Sequence, residues 1–245
     1  MSTALVHGWG MHSGLWGDWI ERLPEPVALD LPGHGQRPRG EALASLGDVA
    51  DDFVTAVGEP AVWIGWSLGG LVALRAALDY PKDVLGLVLI SSSPCFVRRD
   101  DWPYGMDASV FDEFAEGLET DFDRTLNRFT ALEVHGSTTA RQDLATIRRR
   151  VDRYEPPARN TLRDGLALLK GSDLRPELDQ LEMPTLIIGG SRDRLASPRA
   201  LMATGELLSG PPVEIIPGAG HAPFLEHADE VLRHVEQLID LVRDA

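Results

Sequence analysis

Residues 61–78 read AVWIGWSLGGLVALRAAL, and this stretch decides the fold. Ala61–Gly65 is a short apolar run of strand length, and Gly69–Leu78 is an apolar, alanine-rich segment of helical character. Between them lies Gly65-Trp66-Ser67-Leu68-Gly69-Gly70. A strand that passes through a tight glycine-flanked turn directly into a helix lifts the turn serine above the sheet edge. Glycines on either side are needed so that neighbouring backbone can approach without Cβ clashes. The start of the helix also lends Ser67 the positive end of its dipole. Ser67 is therefore a candidate nucleophile, and the competing reading is a simple helix N-cap.

Working outward, further strand-length apolar runs occur at Ala4–His7, Val27–Leu31, Val84–Ile90, Thr185–Gly189 and Val213–Ile216. Their near-continuous apolar character suits strands covered on both faces. Ser45–Val57 and Ala228–Val242 carry apolar residues at helical spacing. Alternating strands and helices predict an α/β fold with a mostly parallel central sheet flanked by helices. The alternation stops after Ser91-Ser92-Ser93-Pro94 and resumes at Met183-Pro184-Thr185. The intervening residues read as helical, interrupted at Tyr154-Glu155-Pro156-Pro157. The expected organisation is a core of residues 1–94 and 183–245 with an inserted helical cap, 95–182.

With 245 residues, 43% of them hydrophobic, the chain can build one sizeable core. Its net charge of −15 makes a nucleic-acid partner a poor expectation. The single Cys95 excludes an internal disulfide and a cysteine-based metal cluster. No apolar run reaches membrane-spanning length and no basic leader opens the chain, so a soluble, cytoplasmic protein is expected.

A serine hydroxyl needs a base, and the base needs an orienting acid. His221 lies in Pro217-Gly218-Ala219-Gly220-His221-Ala222-Pro223, after the last expected strand. Asp193 lies in Gly189-Gly190-Ser191-Arg192-Asp193, after the preceding one. Both positions fall at strand carboxyl ends, where such sheets bind ligands. Competing readings are a turn or cap aspartate and a hydrogen-bonded loop histidine, with Asp100 or Asp101 as another acid position. The developing oxyanion requires two donors. Leu68 N–H follows the nucleophile, and Trp9 N–H in His7-Gly8-Trp9-Gly10 follows the first strand. His7, and Asp30 and His34 in Asp30-Leu31-Pro32-Gly33-His34-Gly35, read as loop-holding residues.

Together these motifs and Gly220-His221-Ala222-Pro223-Phe224 resemble the α/β-hydrolase superfamily over essentially the whole chain. Within it, Gly65–Leu71, the Trp9 motif, and the cap segment from Arg128-Phe129-Thr130-Ala131-Leu132 to Thr139-Ala140-Arg141-Gln142-Asp143 resemble the pimeloyl-[acyl-carrier protein] methyl ester esterases of biotin synthesis. One departure is that the usual N-terminal pair of strands is missing, which should trim the far sheet edge. The resemblance implies a serine carboxylesterase with nucleophile Ser67, acid Asp193 and base His221, oxyanion donors Trp9 and Leu68, and no metal or organic cofactor. It implies an acyl-chain pocket using Phe129 and Phe114, for which core packing is the alternative. It also implies acyl carrier protein contacts by Arg124, Arg128 and Arg141, with Arg148 and Arg149 added from position.

An independent charge pattern points the same way. Arg124–Arg163 holds nine arginines against four acids, a surplus of five positive charges, while the rest of the chain carries −20. A basic cap on an acidic body suits an acidic partner. A monomer is expected. The rival expectations are a broad short-chain carboxylesterase or lactonase acting on free esters, and a non-catalytic hydrolase-fold receptor.

Overall fold

The computed structural model describes residues 1–244. Among them, six strands form one sheet: β1 Ser2–Val6, β2 Pro26–Leu29, β3 Ala61–Trp66, β4 Val84–Ile90, β5 Thr185–Gly190 and β6 Val213–Ile216. Their order is β2-β1-β3-β4-β5-β6 and every pairing is parallel, with no antiparallel strand beyond β2 among the described residues. The chain steps outward from β1 to β2, then returns to the other side of β1 to add β3. The order therefore reverses between β1 and β3, and the crevice outside their carboxyl ends is where an open parallel sheet binds ligands.

Side chains alternate between the two faces as the strand period demands. Ala61 and Trp63 of β3 enter one core, and Val62, Ile64 and Trp66 enter the other. The first core is covered by α1 Leu46–Val57 and α2 Leu68–Asp79, the second by α9 Ala228–Arg243 and a 3₁₀ segment Ser13–Arg22. α1 starts where the Ser45 side chain accepts the Asp48 amide, and ends at Gly58 with φ of 71°. α9 buries Val231, Leu232, Val235, Leu238 and Ile239, the three-to-four spacing of a one-faced helix. α7 Pro198–Leu207 and the short α8 Pro223–Glu226 complete the sheet surroundings.

Between β4 and β5 the chain forms α3 Ala108–Thr120, α4 Phe122–Glu133, α5 Ala140–Val151 and α6 Arg159–Gly171, with 154–157 non-helical as expected. The segment before Ala108 departs from the helical expectation. Isolated bridges Val97–Met106 and Arg99–Trp102 and the Trp102 indole bonded to the Cys95 carbonyl hold it as a compact loop instead.

The loop residues read as structural behave so. His7 donates through Nδ1 to the Gly8 carbonyl and accepts the Leu31 amide at Nε2, while Asp30 accepts the amides of Ser13 and Gln36. Burial is the main cause that pushes His7 down to about 3 and His34 down to about 4. Below the ordinary histidine pKa of 6.5 the unfolded chain binds protons that the folded one refuses, so stability falls as pH drops through that range. The share of unfolding stability owed to His7 and His34 should decrease by roughly 2–5 kcal/mol between about pH 7 and about pH 4.5, read from how the urea-midpoint gap between the native chain and a His7→Asn, His34→Asn variant changes with pH. A gap that does not change with pH would contradict neutral burial of this pair.

Candidate active site

The turn after β3 is strained where the sequence places Ser67, whose φ of 55° and ψ of −118° lie outside ordinary regions for a residue with a Cβ. The strain is held on three sides. The Ser67 amide donates to the Ile90 carbonyl at 3.0 Å, and the Ser67 carbonyl accepts from Gly70 N–H at 2.9 Å and from Ser92 Oγ at 2.8 Å. A Cβ on Gly69 would collide with the carbonyls of Val6 and His7, and one on Gly70 with the Ser92 side chain. The Ser67 side chain makes no capping hydrogen bond, so the N-cap reading fails.

Asp193 is both a turn residue and the partner of His221. Its Oδ1 accepts the amides of Leu195 and Ala196 at 2.8 and 3.0 Å, while Oδ2 meets His221 Nδ1 at 2.8 Å. The main chain of His221 is fixed at both ends: its amide donates to the Glu133 carbonyl at 2.9 Å, and its carbonyl accepts the Trp66 indole at 2.8 Å. Trp66 immediately precedes Ser67, so this bond ties the imidazole loop to the turn. His221 Nε2 is buried and has no hydrogen-bond partner among the described residues. With Nδ1 engaged by a carboxylate, the imidazole presents Nε2 as the nitrogen free to take a proton.

The loop after β1 lies against the same turn. A Cβ on Gly8 would sit 3.3 Å from Ser67 Cβ. Neither the Trp9 nor the Leu68 amide donates a hydrogen bond among the described residues, and both residues are fully buried. The Trp9 indole donates to the Leu162 carbonyl of α6 at 2.7 Å and stacks edge-on with Phe129, whose ring centroid is 4.4 Å away. Phe114 follows at 5.6 Å from Phe129. Both phenylalanines are buried, and Phe129 packs against the loop that carries Trp9.

Asp100 and Asp101 are exposed, and Asp101 pairs with Arg175, which removes them as alternatives to Asp193. Among the described residues no cluster of three or more histidine, cysteine or acidic side chains could hold a metal. No helix is long and apolar enough to cross a membrane among them. Three contributors were not legible from sequence spacing: Ser92, the Trp66 indole and Glu133. Glu133, counted above only as a cap charge, is a wholly buried carboxyl pushed well above the ordinary carboxylate range by burial and then by Asp193.

Arg124, Arg141, Arg148 and Arg149 are exposed and form no ion pair among the described residues. Arg148 instead reaches Asn127 of α4 at 3.3 Å, which sets the basic faces of α4 and α5 side by side. Arg128 differs, pairing with Glu113 and lying over the Phe114 ring.

The chain belongs to the alpha/beta hydrolase family, whose model matches residues 4–234, and it is a hydrolase. Within that family it is similar to proteins named pimeloyl-[acyl-carrier protein] methyl ester esterase. The relative from Stenotrophomonas maltophilia (strain K279a) is 44% identical over 96% of this chain and 91% of its own length. The one from Xylella fastidiosa (strain M12) is 41% identical over 97% and 94%. Among solved structures, an esterase from Exiguobacterium antarcticum superposes with a TM-score of 0.83 at 23% identity, covering 99% of this chain and 92% of that one. A bromoperoxidase from Bacillus anthracis superposes at 0.88 with 19% identity, covering 98% and 91%. At these identities the structural likeness speaks for the fold.

Proposed function

We propose that this hydrolase is a serine carboxylesterase that cleaves the methyl ester of pimeloyl-[acyl-carrier protein] in biotin synthesis, releasing methanol. The observation that carries the catalytic part is the Asp193–His221 pair with its unpartnered Nε2, bonded through Trp66 to the strained turn at Ser67. The substrate follows from the relatives' names, supported by the unpaired arginines of α4 and α5.

In this reading His221 Nε2 takes the proton of Ser67 as Oγ attacks the ester carbonyl, and Asp193 holds the imidazole in the required tautomer. The free amides of Trp9 and Leu68 stabilise the oxyanion. His221 returns the proton to the departing methoxide, and methanol leaves an acyl-enzyme. Water activated by the same imidazole then releases the free carboxylate while the chain's other end stays thioester-linked to its carrier. Trp9, Leu68, Phe129 and Phe114 form the acyl-chain wall, with 95–182 acting as a cap over the sheet edge. Arg124, Arg128, Arg141, Arg148 and Arg149 receive the acidic carrier protein, guanidinium groups being suited to carboxylate and phosphate alike. The enzyme acts as a cytoplasmic monomer and needs no cofactor.

The test compares initial rates on the carrier-bound methyl ester and on a free short-chain methyl ester. The double variant Arg141→Glu, Arg149→Glu should raise KM for the carrier-bound ester by at least about tenfold and leave the free ester unchanged. Raising salt should weaken the carrier-bound reaction alone, since exposed charges are screened. Equal rates on both esters, insensitive to salt and to the double variant, would remove the carrier and leave a general esterase.

A further inference from the structure

Glu133 closes α4 and is 1% exposed. Both of its carboxyl oxygens are buried without a hydrogen-bond partner among the described residues. A carboxylate placed there would forfeit its hydration with nothing to replace it, so ionisation is disfavoured. The main-chain carbonyl of the same residue accepts the His221 amide at 2.9 Å. A Cβ on Gly220 would lie 3.0 Å from that carbonyl, so the two segments are in close contact.

Among the described residues no cation is paired with the carboxyl. Asp193, on the loop after β5, is the charged group whose field reaches it. His221, on the loop after β6, meets it with main chain, and Arg192 turns away to the Gly136 carbonyl at 2.8 Å. On the turn that follows α4, His135 is exposed, while Asp143 is satisfied by the hydroxyls of Ser137 and Thr139. Glu226 of α8 is bonded to Thr138 and has His227 beside it.

We propose that Glu133 is a positioning residue that serves the Asp193–His221 pair as a neutral carboxylic acid, and that loss of its proton disables the site. Two carboxyl groups at one buried corner have divided the protonation states between them. Asp193 accepts three hydrogen bonds, an arrangement that favours a carboxylate, and Glu133 accepts none. A single negative charge then orients the imidazole. An ionised Glu133 would add a second anion beside Asp193 and draw the end of α4 toward water. The carbonyl that fixes the His221 amide would move with it. This inference rests on the triad assigned above and is independent of which ester is the substrate.

Glu133→Gln keeps the shape and the main-chain carbonyl and removes the titration. The first readout is urea stability against pH. A group whose folded pKa is raised contributes stability below its ordinary pKa of 4.5 and loses it progressively above. The folding equilibrium of Glu133→Gln relative to the native chain should therefore be constant below about pH 4 and grow by up to about tenfold per pH unit above that pKa. The second readout is the rate at which an alkyl fluorophosphonate labels Ser67 as pH is raised. Labelling of both proteins should first rise with pH to a plateau. The native rate should then fall with further alkalinity while the variant holds its plateau. A stability gap that does not vary with pH, or labelling profiles that superimpose up to the pH at which the native chain unfolds, would overturn the proposal. Glu133→Met, of similar length and not ionisable, repeats both measurements if the amide fails to pack. Labelling that persists in a Ser67→Ala control would instead refute the triad.

Discussion

Ser67→Ala should lower kcat on the carrier-bound methyl ester by roughly 10⁴- to 10⁶-fold with little change in KM. The covalent route disappears with the hydroxyl, while the Trp9 and Leu68 amides, proposed above as the oxyanion donors, are left in place. The backbone reason for the site's form can be measured in the same experiment. At φ of 55° a side chain costs about 1–3 kcal/mol, and glycine escapes that cost while incurring about 0.5–1 kcal/mol of extra chain entropy. Ser67→Gly should thus be as inactive as Ser67→Ala and about 1 kcal/mol more stable. A Gly variant less stable than the Ala variant would show that the turn is not strained, and residual turnover above about one per cent in either would remove Ser67 as nucleophile.

Asp193→Asn should cost about 10⁴-fold in kcat. The amide oxygen can still accept the amides of Leu195 and Ala196, so the loop after β5 keeps its shape. The amide nitrogen then faces His221 Nδ1 where a carboxylate oxygen stood at 2.8 Å, and donor meets donor unless the imidazole shifts its proton to Nε2. Nε2 would then be a donor and unable to act as the base. Because the loop survives, the loss should appear in kcat with the thermal midpoint changed by only a few degrees. A collapse in stability at full specific activity would mean that Asp193 serves the turn alone.

The parts of this molecule visible in the sequence are those whose physics is local. β3, the turn and α2 are legible because a buried strand, a glycine-flanked corner and an apolar helix each leave their pattern within a few residues. α9 is legible from its spacing. The 3₁₀ segment Ser13–Arg22 is not, because Leu15, Trp16 and Trp19 fall at a spacing that an α-helix would also give, while Gly17 breaks the segment with a φ of 55°. α7 is only weakly marked in the sequence, by Ser197-Pro198, a cap followed by proline at the first turn. The loop before α3 reads as helix because Pro94 and Pro103 carry little information about the bridge pairings between them. At the site, Ser67, Asp193 and His221 were legible from position after strands. The role of Glu133 was not, since nothing in a helix-end glutamate says that the loops after β5 and β6, far along the chain from it, will meet it.

Three of the bonds that attach the helical insertion to the sheet's loops end on main-chain carbonyls of the insertion. Trp9, His221 and Arg192 supply the donors from the core, and the acceptors are the main-chain carbonyls of Leu162, Glu133 and Gly136. A carbonyl is offered by every residue type, so mutational drift across α4 to α6 leaves these three anchors in place. The insertion can exchange its side chains, and with them the choice of acyl chain or carrier, while the machinery beneath stays docked. Grafting the insertion from a related hydrolase onto this core should succeed wherever the backbone path at those three carbonyls is preserved, whatever the sequence between them. Evolution then has a hydrolase whose specificity can be rewritten without first loosening its catalytic base.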